Sequence, residues 1–131
     1  MNIKQKILLG FSLLLLLFAF LFFNTNNKKA NNKYERYYQI KMCKKLNGKI
    51  EYVLPNKTRV DCLTNKYAIE VDWAKKWAES IGQSLYYSNM TSKKPAIGLI
   101  IDKDEQRYLK RLKLAIKGLN IKIIILEKEN D

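Results

Sequence analysis

Residues 59–87, RVDCLTNKYAIEVDWAKKWAESIGQSLYY, determine how the rest of this 131-residue chain is expected to fold. RVDCLT and KYAIEVDW alternate in polarity and are rich in Val, Ile and Tyr, a pattern that predicts two β-strands. Asn65 and Lys66 predict a two-residue turn between them, with Thr64 opposite Tyr67. The following segment repeats large apolar residues every fourth position, which predicts an amphipathic helix with one buried stripe.

The predicted hairpin brings three carboxylates to one face. Its register sets Asp61 opposite Glu70, and Cβ atoms of directly opposed residues lie roughly 5 Å apart. Asp72, two positions further along the strand, shares that face. Carboxylates this close repel one another unless a cation lies between them. Two interpretations stay open: a metal site, or a network of ion pairs with neighbouring cations, namely Arg59, Lys75 and Lys76.

The helix after the hairpin presents polar residues on a line. Lys76, Gln83 and Tyr87 are offset by 0, 7 and 11 positions, which places them within about 20° of one direction. Lys76 lies one turn into the helix, close to the acids, where its ammonium can approach a metal-bound water. Lys75 points about 80° away from Gln83 and is the weaker candidate.

The flanking sequence predicts a single small α/β domain. Residues 34–46 predict a first helix and residues 49–54 a first strand. After the second helix, the apolar run at 95–101 is typical of a strand buried on both faces, in an interior parallel position. Residues 102–117 and 121–126 predict a third helix and a last strand. The expected order is helix, three strands, helix, strand, helix, strand, in a mixed sheet that begins as an antiparallel meander.

An apolar run at residues 7–23, ILLGFSLLLLLFAFLFF, follows a short basic leader. Its 17 residues are near the lower limit for a bilayer span of about 20. We therefore predict a signal anchor over residues 1–23, with a signal peptide cleaved near residues 24–29 as the alternative. Either places the domain outside the cytoplasm, in the periplasm or another extracytoplasmic space, or secreted.

The remaining boundaries follow from composition. Residues 24–33 (NTNNKKANNK) predict a flexible polar linker, residues 34–126 the folded domain, and residues 127–131 an acidic tail. The chain carries a net charge of +13, and from residue 34 onward 20 basic residues face 12 acidic ones. That surplus favours a polyanionic partner, nucleic acid or an anionic membrane surface, although basic helix faces are often only solvated. Nothing in the sequence indicates an oligomeric state.

The two cysteines, Cys43 and Cys62, form an even count in a domain predicted to be exported, which favours a disulfide. Cys62 follows Asp61 and therefore points to the opposite face of the strand, where the first helix can pack. Two buried free thiols are the alternative.

The order helix, meander, helix, strand, with Asp61 on the second strand and Glu70 on the third, resembles the PD-(D/E)XK nuclease superfamily over residues 34–126. In that family an acidic pair binds Mg²⁺, a lysine two residues after the glutamate activates water, and a Gln-x-x-x-Tyr motif can follow. The resemblance implies Asp61 and Glu70 as ligands of Mg²⁺ or Mn²⁺, and it aligns Gln83 and Tyr87 with the last motif.

The chain departs from the family at one position, since Asp72 stands where the lysine is expected. The resemblance then implies a lysine relocated to Lys76, with Asp72 as a further ligand or as the group that orients Lys76. Glu51 is a possible fourth acid, if a three-residue turn sets it opposite Asp61.

The chemistry that these residues support is narrow. Hard oxygen ligands and the absence of histidine from the sequence point to Mg²⁺ or Mn²⁺ and away from zinc. No glycine-rich nucleotide loop, Ser/His/Asp set or Cys/His metal spacing is present. We therefore expect a metal-dependent nuclease that hydrolyses DNA and is tethered to the membrane or exported. The alternatives are a non-catalytic module of the same fold, binding nucleic acid or an envelope partner, and a small membrane-associated structural protein.

Overall fold

A computed structural model describes residues 1–129, with side chains for residues 1–23 and 34–129. The chain divides into two compact units, Met1–Tyr34 and the part from Glu35 onward. The first unit contains Ile3–Phe23, 21 helical residues of mean hydropathy 2.5 with no buried residue. This helix is long and apolar enough to cross a membrane, a property that a signal sequence shares. The predicted linker, residues 24–33, lies outside the part of the chain described in full.

The second unit is a five-stranded mixed sheet with helices on both faces. Its strands follow one another in chain order, β1 (Lys49–Val53), β2 (Arg59–Leu63), β3 (Tyr67–Trp73), β4 (Lys94–Ile101) and β5 (Lys122–Glu127). β1 to β3 form the antiparallel meander, whereas β3, β4 and β5 are parallel. The helices are α1 (Ile3–Lys45), of which the residues from Glu35 onward belong to this unit, α2 (Trp77–Thr91) and α3 (Gln106–Ala115). The α/β class, the element order and the mixed sheet are as predicted.

Short 3₁₀ turns, Ala74–Lys76 and Lys103–Glu105, precede α2 and α3. At the other end of the chain, Glu127 closes β5, and the backbone N–H of Glu129 donates to the Tyr38 hydroxyl at 2.8 Å. The first residues of the predicted acidic tail therefore contact α1, and residues 130–131 lie outside the described chain.

The core has two layers, one on each face of the sheet. The carboxyl-terminal part of α1 packs on one face, with Tyr38, Met42 and Cys43 among residues of β2, β3 and β4. α2 and α3 cover the other face, where Leu112 packs with Ile97 and other β4 residues. Because β4 has helices on both sides, every residue from Ala96 to Ile101 is buried, which accounts for the unbroken apolar run.

The hairpin has the predicted register. Cys62 pairs with Ile69 and Leu63 with Ala68, and the Thr64 N–H donates to the Tyr67 carbonyl at 2.9 Å. Thr64 Oγ1 also accepts the Tyr67 N–H at 2.8 Å, so one side chain closes the turn. Because side chains alternate with a period of two, this turn fixes which residues of β2 and β3 share a face.

A disulfide joins Cys43 on α1 to Cys62 on β2, as predicted, with Cα atoms 5.6 Å apart and both residues fully buried. Gly48 packs against it. A Cβ atom at position 48 would lie 2.5 Å from Cys62 Sγ and 2.8 Å from Cys43 Sγ. Those separations are shorter than a carbon–sulfur contact allows, so the close approach of backbone to disulfide requires glycine here.

Replacing both cysteines by serine is expected to lower the free energy of unfolding by about 3 kcal/mol, because the open chain gains the entropy of an unclosed loop. Chemical denaturation of the full chain in neutral detergent measures this, with the wild type under reductant as the matched control. Equal unfolding midpoints for the variant and the oxidised wild type would contradict it.

Candidate active site

The site lies where β2 and β3 stop pairing regularly. In an unbroken antiparallel ladder, the exchange of backbone bonds at Thr64–Tyr67 and Cys62–Ile69 would continue at Val60–Val71. Instead, the Val71 N–H donates to Asp61 Oδ2 at 2.8 Å. A side-chain carboxylate thus replaces a backbone acceptor. The substitution places the Asp61 carboxylate between the two strands.

Asp61 is also held from the side of α1. Gln39, a buried residue of that helix, donates from Nε2 to the Asp61 carbonyl at 3.0 Å and to its Oδ1 at 3.4 Å. The backbone and the side chain of Asp61 are therefore both fixed by hydrogen bonds.

Glu70 is next to Asp61, as the register predicted, and the two carboxyl groups are hydrogen-bonded to each other. Glu70 is 6% exposed, and its Oε2 has no hydrogen-bond partner among the described residues. Among the side chains that the structure describes, Trp73 Nε1 is the other buried polar atom without a hydrogen-bond partner. An orphaned carboxylate oxygen is costly in a protein interior, so this atom is the strongest sign that the site accepts a further group.

Asp72 is 2% exposed and lies at the end of β3. Its Oδ1 accepts the Trp73 N–H at 2.8 Å and lies 3.3 Å from Lys76 Nζ. The Lys76 side chain is half exposed, so its ammonium stands between the buried carboxylate and solvent. The predicted proximity of Lys76 to the acids is present in the structure.

Glu35 is the acid that sequence reasoning missed. It lies on α1, and its carboxyl group is hydrogen-bonded to that of Asp72 and is close enough to Asp61 for their charges to interact. One sequence signal was available, since Glu35 is the single acid among the basic and aromatic residues of the predicted first helix, residues 34–46. The four acids Glu35, Asp61, Glu70 and Asp72 are called the acid cluster below.

The acid cluster holds protons at neutral pH. Burial raises the pKa of Glu70 to about 9, and the charges of Asp61 and Asp72 add to the effect. Burial also raises the pKa of Glu35 to about 7 and that of Asp61 to about 6, the latter despite the opposing Val71 N–H bond. When too few cations compensate their charge, crowded carboxyl groups retain protons and share them with their neighbours.

The other predicted site residues are placed differently. The three-residue turn after β1 closes with the Leu54 N–H donating to the Thr58 carbonyl at 2.8 Å, and the β1–β2 register sets Glu51 across from Asp61. However, the Glu51 carboxylate lies 2.6 Å from Arg36 and 3.8 Å from Arg59. Glu51 is therefore compensated by two guanidinium groups beside the cluster.

On α2, Tyr87 is buried, and this burial together with the nearby charges of Glu70 and Asp61 raises its pKa to about 12. Gln83 is half-buried and has no side-chain hydrogen bond within the part of the chain described. Lys75 is exposed and forms no ion pair with a described residue. The structure thus brings Tyr87 and Lys76 to the acids, whereas Gln83 and Lys75 form no hydrogen bond or ion pair with them in the described part of the chain.

The donor set is suited to a hard divalent cation, because it consists of carboxylate oxygens and one of them lacks a partner. Among the described side chains, however, no group of three or more acids is already gathered as a metal site. The acids instead form two hydrogen-bonded pairs, Asp61 with Glu70 and Glu35 with Asp72. A metal ion would take the place of the shared protons.

Comparison with known proteins assigns no family: no protein-family model matches the chain, and no curated protein or solved structure matches it either.

Proposed function

We propose that this chain is a metal-dependent nuclease that hydrolyses phosphodiester bonds of DNA. The observation that supports it is the charge imbalance of the acid cluster. An ion-pair network would place a cation beside each acid, but within the described residues only Lys76 forms an ion pair with a member of the cluster, Asp72. Four crowded carboxyl groups with one ammonium are destabilising for the fold and suited to binding a dication.

Each residue has a role in this proposal. Asp61, Glu70 and Glu35 supply oxygen ligands for Mg²⁺ or Mn²⁺. The bound ion supplies Lewis-acid activation of a water molecule and of the phosphate. Asp72 orients Lys76 through the 3.3 Å contact and completes the carboxylate set.

Lys76 acts as a fixed positive charge. Burial opposes its charged form, but the carboxylates of Asp72, Glu35 and Glu79 outweigh burial and raise its pKa above the usual value. It therefore stays protonated at neutral pH and cannot accept a proton from water. Its half-exposed ammonium is placed to stabilise negative charge that develops on the phosphate.

Cleavage of supercoiled plasmid by the full chain in neutral detergent, with Mg²⁺ or Mn²⁺ against EDTA, tests the proposal directly. Metal-dependent nicking supports it. If no cleavage occurs and calorimetry detects no binding of either ion, the non-catalytic module of the same fold is the better account.

Replacing Lys76 with glutamine is expected to slow cleavage by about a hundredfold, because it removes one preorganised charge at the phosphate. Mn²⁺ affinity should stay unchanged, since lysine is not a ligand. Lys75→Gln is the matched control, because Lys75 is its exposed neighbour and forms no ion pair with a described residue. Equal rates for the two variants would remove Lys76 from the mechanism.

We propose further that the domain works outside the cytoplasm. The apolar helix Ile3–Phe23 and the disulfide support this, because disulfides persist in oxidising compartments. An anchor and a cleaved signal are distinguished by the amino-terminal sequence of the protein recovered from cells. Digestion of the cell-associated domain by protease added to spheroplasts with an intact cytoplasmic membrane would support the location, and complete protection would contradict it.

A further inference from the structure

α3 presents a continuous basic stripe to solvent. At 100° per residue, Arg107 and Lys110 of α3 lie within about 40° of the direction opposite to Leu112. Lys103 stands in the 3₁₀ turn before the helix, and Lys117 follows its end. Leu112 is fully buried, and all four cations are exposed. Arg111 and Lys113 flank the stripe.

The stripe lacks compensating acids. None of its cations forms an ion pair with a carboxylate of the described residues. Of the two acids in the turn before α3, Glu105 is engaged in a capping box, in which it accepts the Asp102 N–H at 3.1 Å. Asp104 is the other and is exposed. The helix therefore carries a strong local excess of positive charge, which attracts polyanions.

Two of the guanidinium groups are ordered by an aromatic ring. Arg107 and Arg111 lie over Tyr108, with the guanidinium carbons 4.7 Å and 5.8 Å from the ring centroid. Stacking fixes the two planar groups and leaves their N–H donors unpaired with carboxylates of the described residues. That arrangement suits phosphate, which a guanidinium group can bind with two parallel hydrogen bonds.

The stripe begins at the same edge of the sheet as the acid cluster. β3 and β4 are parallel, with Trp73 beside Ile100, so both strands end at that edge. β3 continues into the turn Ala74–Lys76, and β4 into the turn Lys103–Glu105. Ala74 and Leu112 belong to one buried cluster, which shows that α3 packs beside the turn carrying Lys76.

We propose that these cations bind the phosphodiester backbone of a nucleic acid strand that extends from the acid cluster along α3. The α3 basic surface is defined by Lys103, Arg107, Lys110 and Arg111. The choice of nucleic acid rests on the proposed function of the adjoining site. An anionic membrane is the weaker partner, because a helix that binds membranes presents an apolar face, and the large apolar residues of α3 pack into the core except Leu114.

The test measures binding without cleavage. Fluorescence anisotropy of a labelled DNA duplex, and of one of its strands, is followed in EDTA with the full chain in neutral detergent. The variant Arg107→Gln/Lys110→Gln/Arg111→Gln is expected to bind at least about tenfold more weakly. The slope of its affinity against salt concentration should fall by about one for each cation that no longer neutralises a phosphate.

The matched control is Lys44→Gln/Lys45→Gln/Lys94→Gln, which removes the same charge from exposed lysines at the opposite edge of the sheet. It should bind nearly as the wild type does. Equally weakened binding in both variants, or unchanged binding in both, would overturn the α3 surface.

Two further outcomes separate the proposals. DNA binding that depends on α3 without metal-dependent cleavage would uphold the surface and refute the nuclease. Metal-dependent cleavage without α3-dependent binding would support the nuclease and refute the α3 surface. Lysine labelling of the chain in nanodiscs identifies a membrane surface: protection of Lys110 by phosphatidylglycerol, and not by DNA, would overturn the nucleic-acid proposal.

Discussion

Replacing Glu70 with glutamine is expected to abolish metal-dependent cleavage and, in the absence of metal, to raise the melting temperature. The glutamate is ionised at neutral pH in the unfolded chain, whereas burial favours its protonated form after folding. Folding therefore requires uptake of a proton, a cost that the neutral glutamine does not have. A stabilisation of about 1 kcal/mol would raise the melting temperature by about 4–8 °C in a domain of this size.

Thermal melts in EDTA and the plasmid assay measure the two effects. Glu127→Gln is the matched control, because Glu127 is an exposed glutamate at the end of β5 and forms no ion pair with a described residue. The control should leave the melting temperature in EDTA and the rate of plasmid cleavage nearly unchanged. If the acids only formed structural ion pairs, Glu70→Gln would destabilise the protein, and Mg²⁺ would change nothing. That result would refute the metal site.

Substitution of Asp61 is a less informative test of the metal site than substitution of Glu70, because Asp61 also takes part in strand pairing. The Asp61 carboxylate accepts the Val71 N–H, so Asp61→Ala would leave a backbone donor unsatisfied. Loss of activity in that variant would mix loss of a ligand with damage to strand pairing. From the hairpin register alone, stabilisation would be expected from removing either acid. With the Val71 contact, we expect it only for Glu70.

The metal-free protein is expected to lose stability as the pH rises from about 5 to about 9. The folded-state pKa values of Glu35, Asp61 and Glu70 are raised to about 7, 6 and 9, above their usual values near 4. A group with a raised folded-state pKa stabilises the fold fully below its unfolded pKa. That stabilisation is lost as the pH passes through the folded value. The melting temperature should therefore fall by about 5 °C or more over this range.

Melts in EDTA at several pH values check this, and saturating Mn²⁺ should weaken the dependence because the ion favours the ionised acids. Asp102 and Glu129 do not interfere, since their pKa values are lowered, by the Lys103 N–H and by Lys41 respectively. Their contributions change only below about pH 5. A metal-free stability that is constant or rises between pH 5 and 9 would contradict the proton-sharing cluster.

The features that the sequence predicted correctly depend on local geometry. A tight turn and a period of two fix the β2–β3 register, so Asp61 and Glu70 could be paired and Cys62 assigned to the opposite face. Helical structure begins directly after β3, as the 3₁₀ turn Ala74–Lys76, and it places Lys76 four residues after Asp72 and beside it. These relations span few residues, and chain geometry alone determines them.

What could not be predicted depends on tertiary packing. Glu35 reaches Asp72 because α1 lies across the sheet at a particular angle, which no periodicity within the helix specifies. Glu51 is opposite Asp61 as the three-residue turn requires, yet its positive φ of 49° and the nearness of Arg36 direct its carboxylate elsewhere. The Val71 N–H donates to the Asp61 carboxylate and not to a backbone carbonyl of β2. An alternating sequence pattern does not predict this replacement either.

The disulfide has a consequence for when the acid cluster is assembled after synthesis. Cys43 lies on the same helix as Glu35 and Gln39, and Cys62 is adjacent to Asp61. One covalent bond therefore links the two segments that supply Glu35 and Asp61, half of the acid cluster. A newly made chain in a reducing compartment has all four acids but not this fastening. On the proposed function and location, oxidation would act as a maturation step that completes the site only after export.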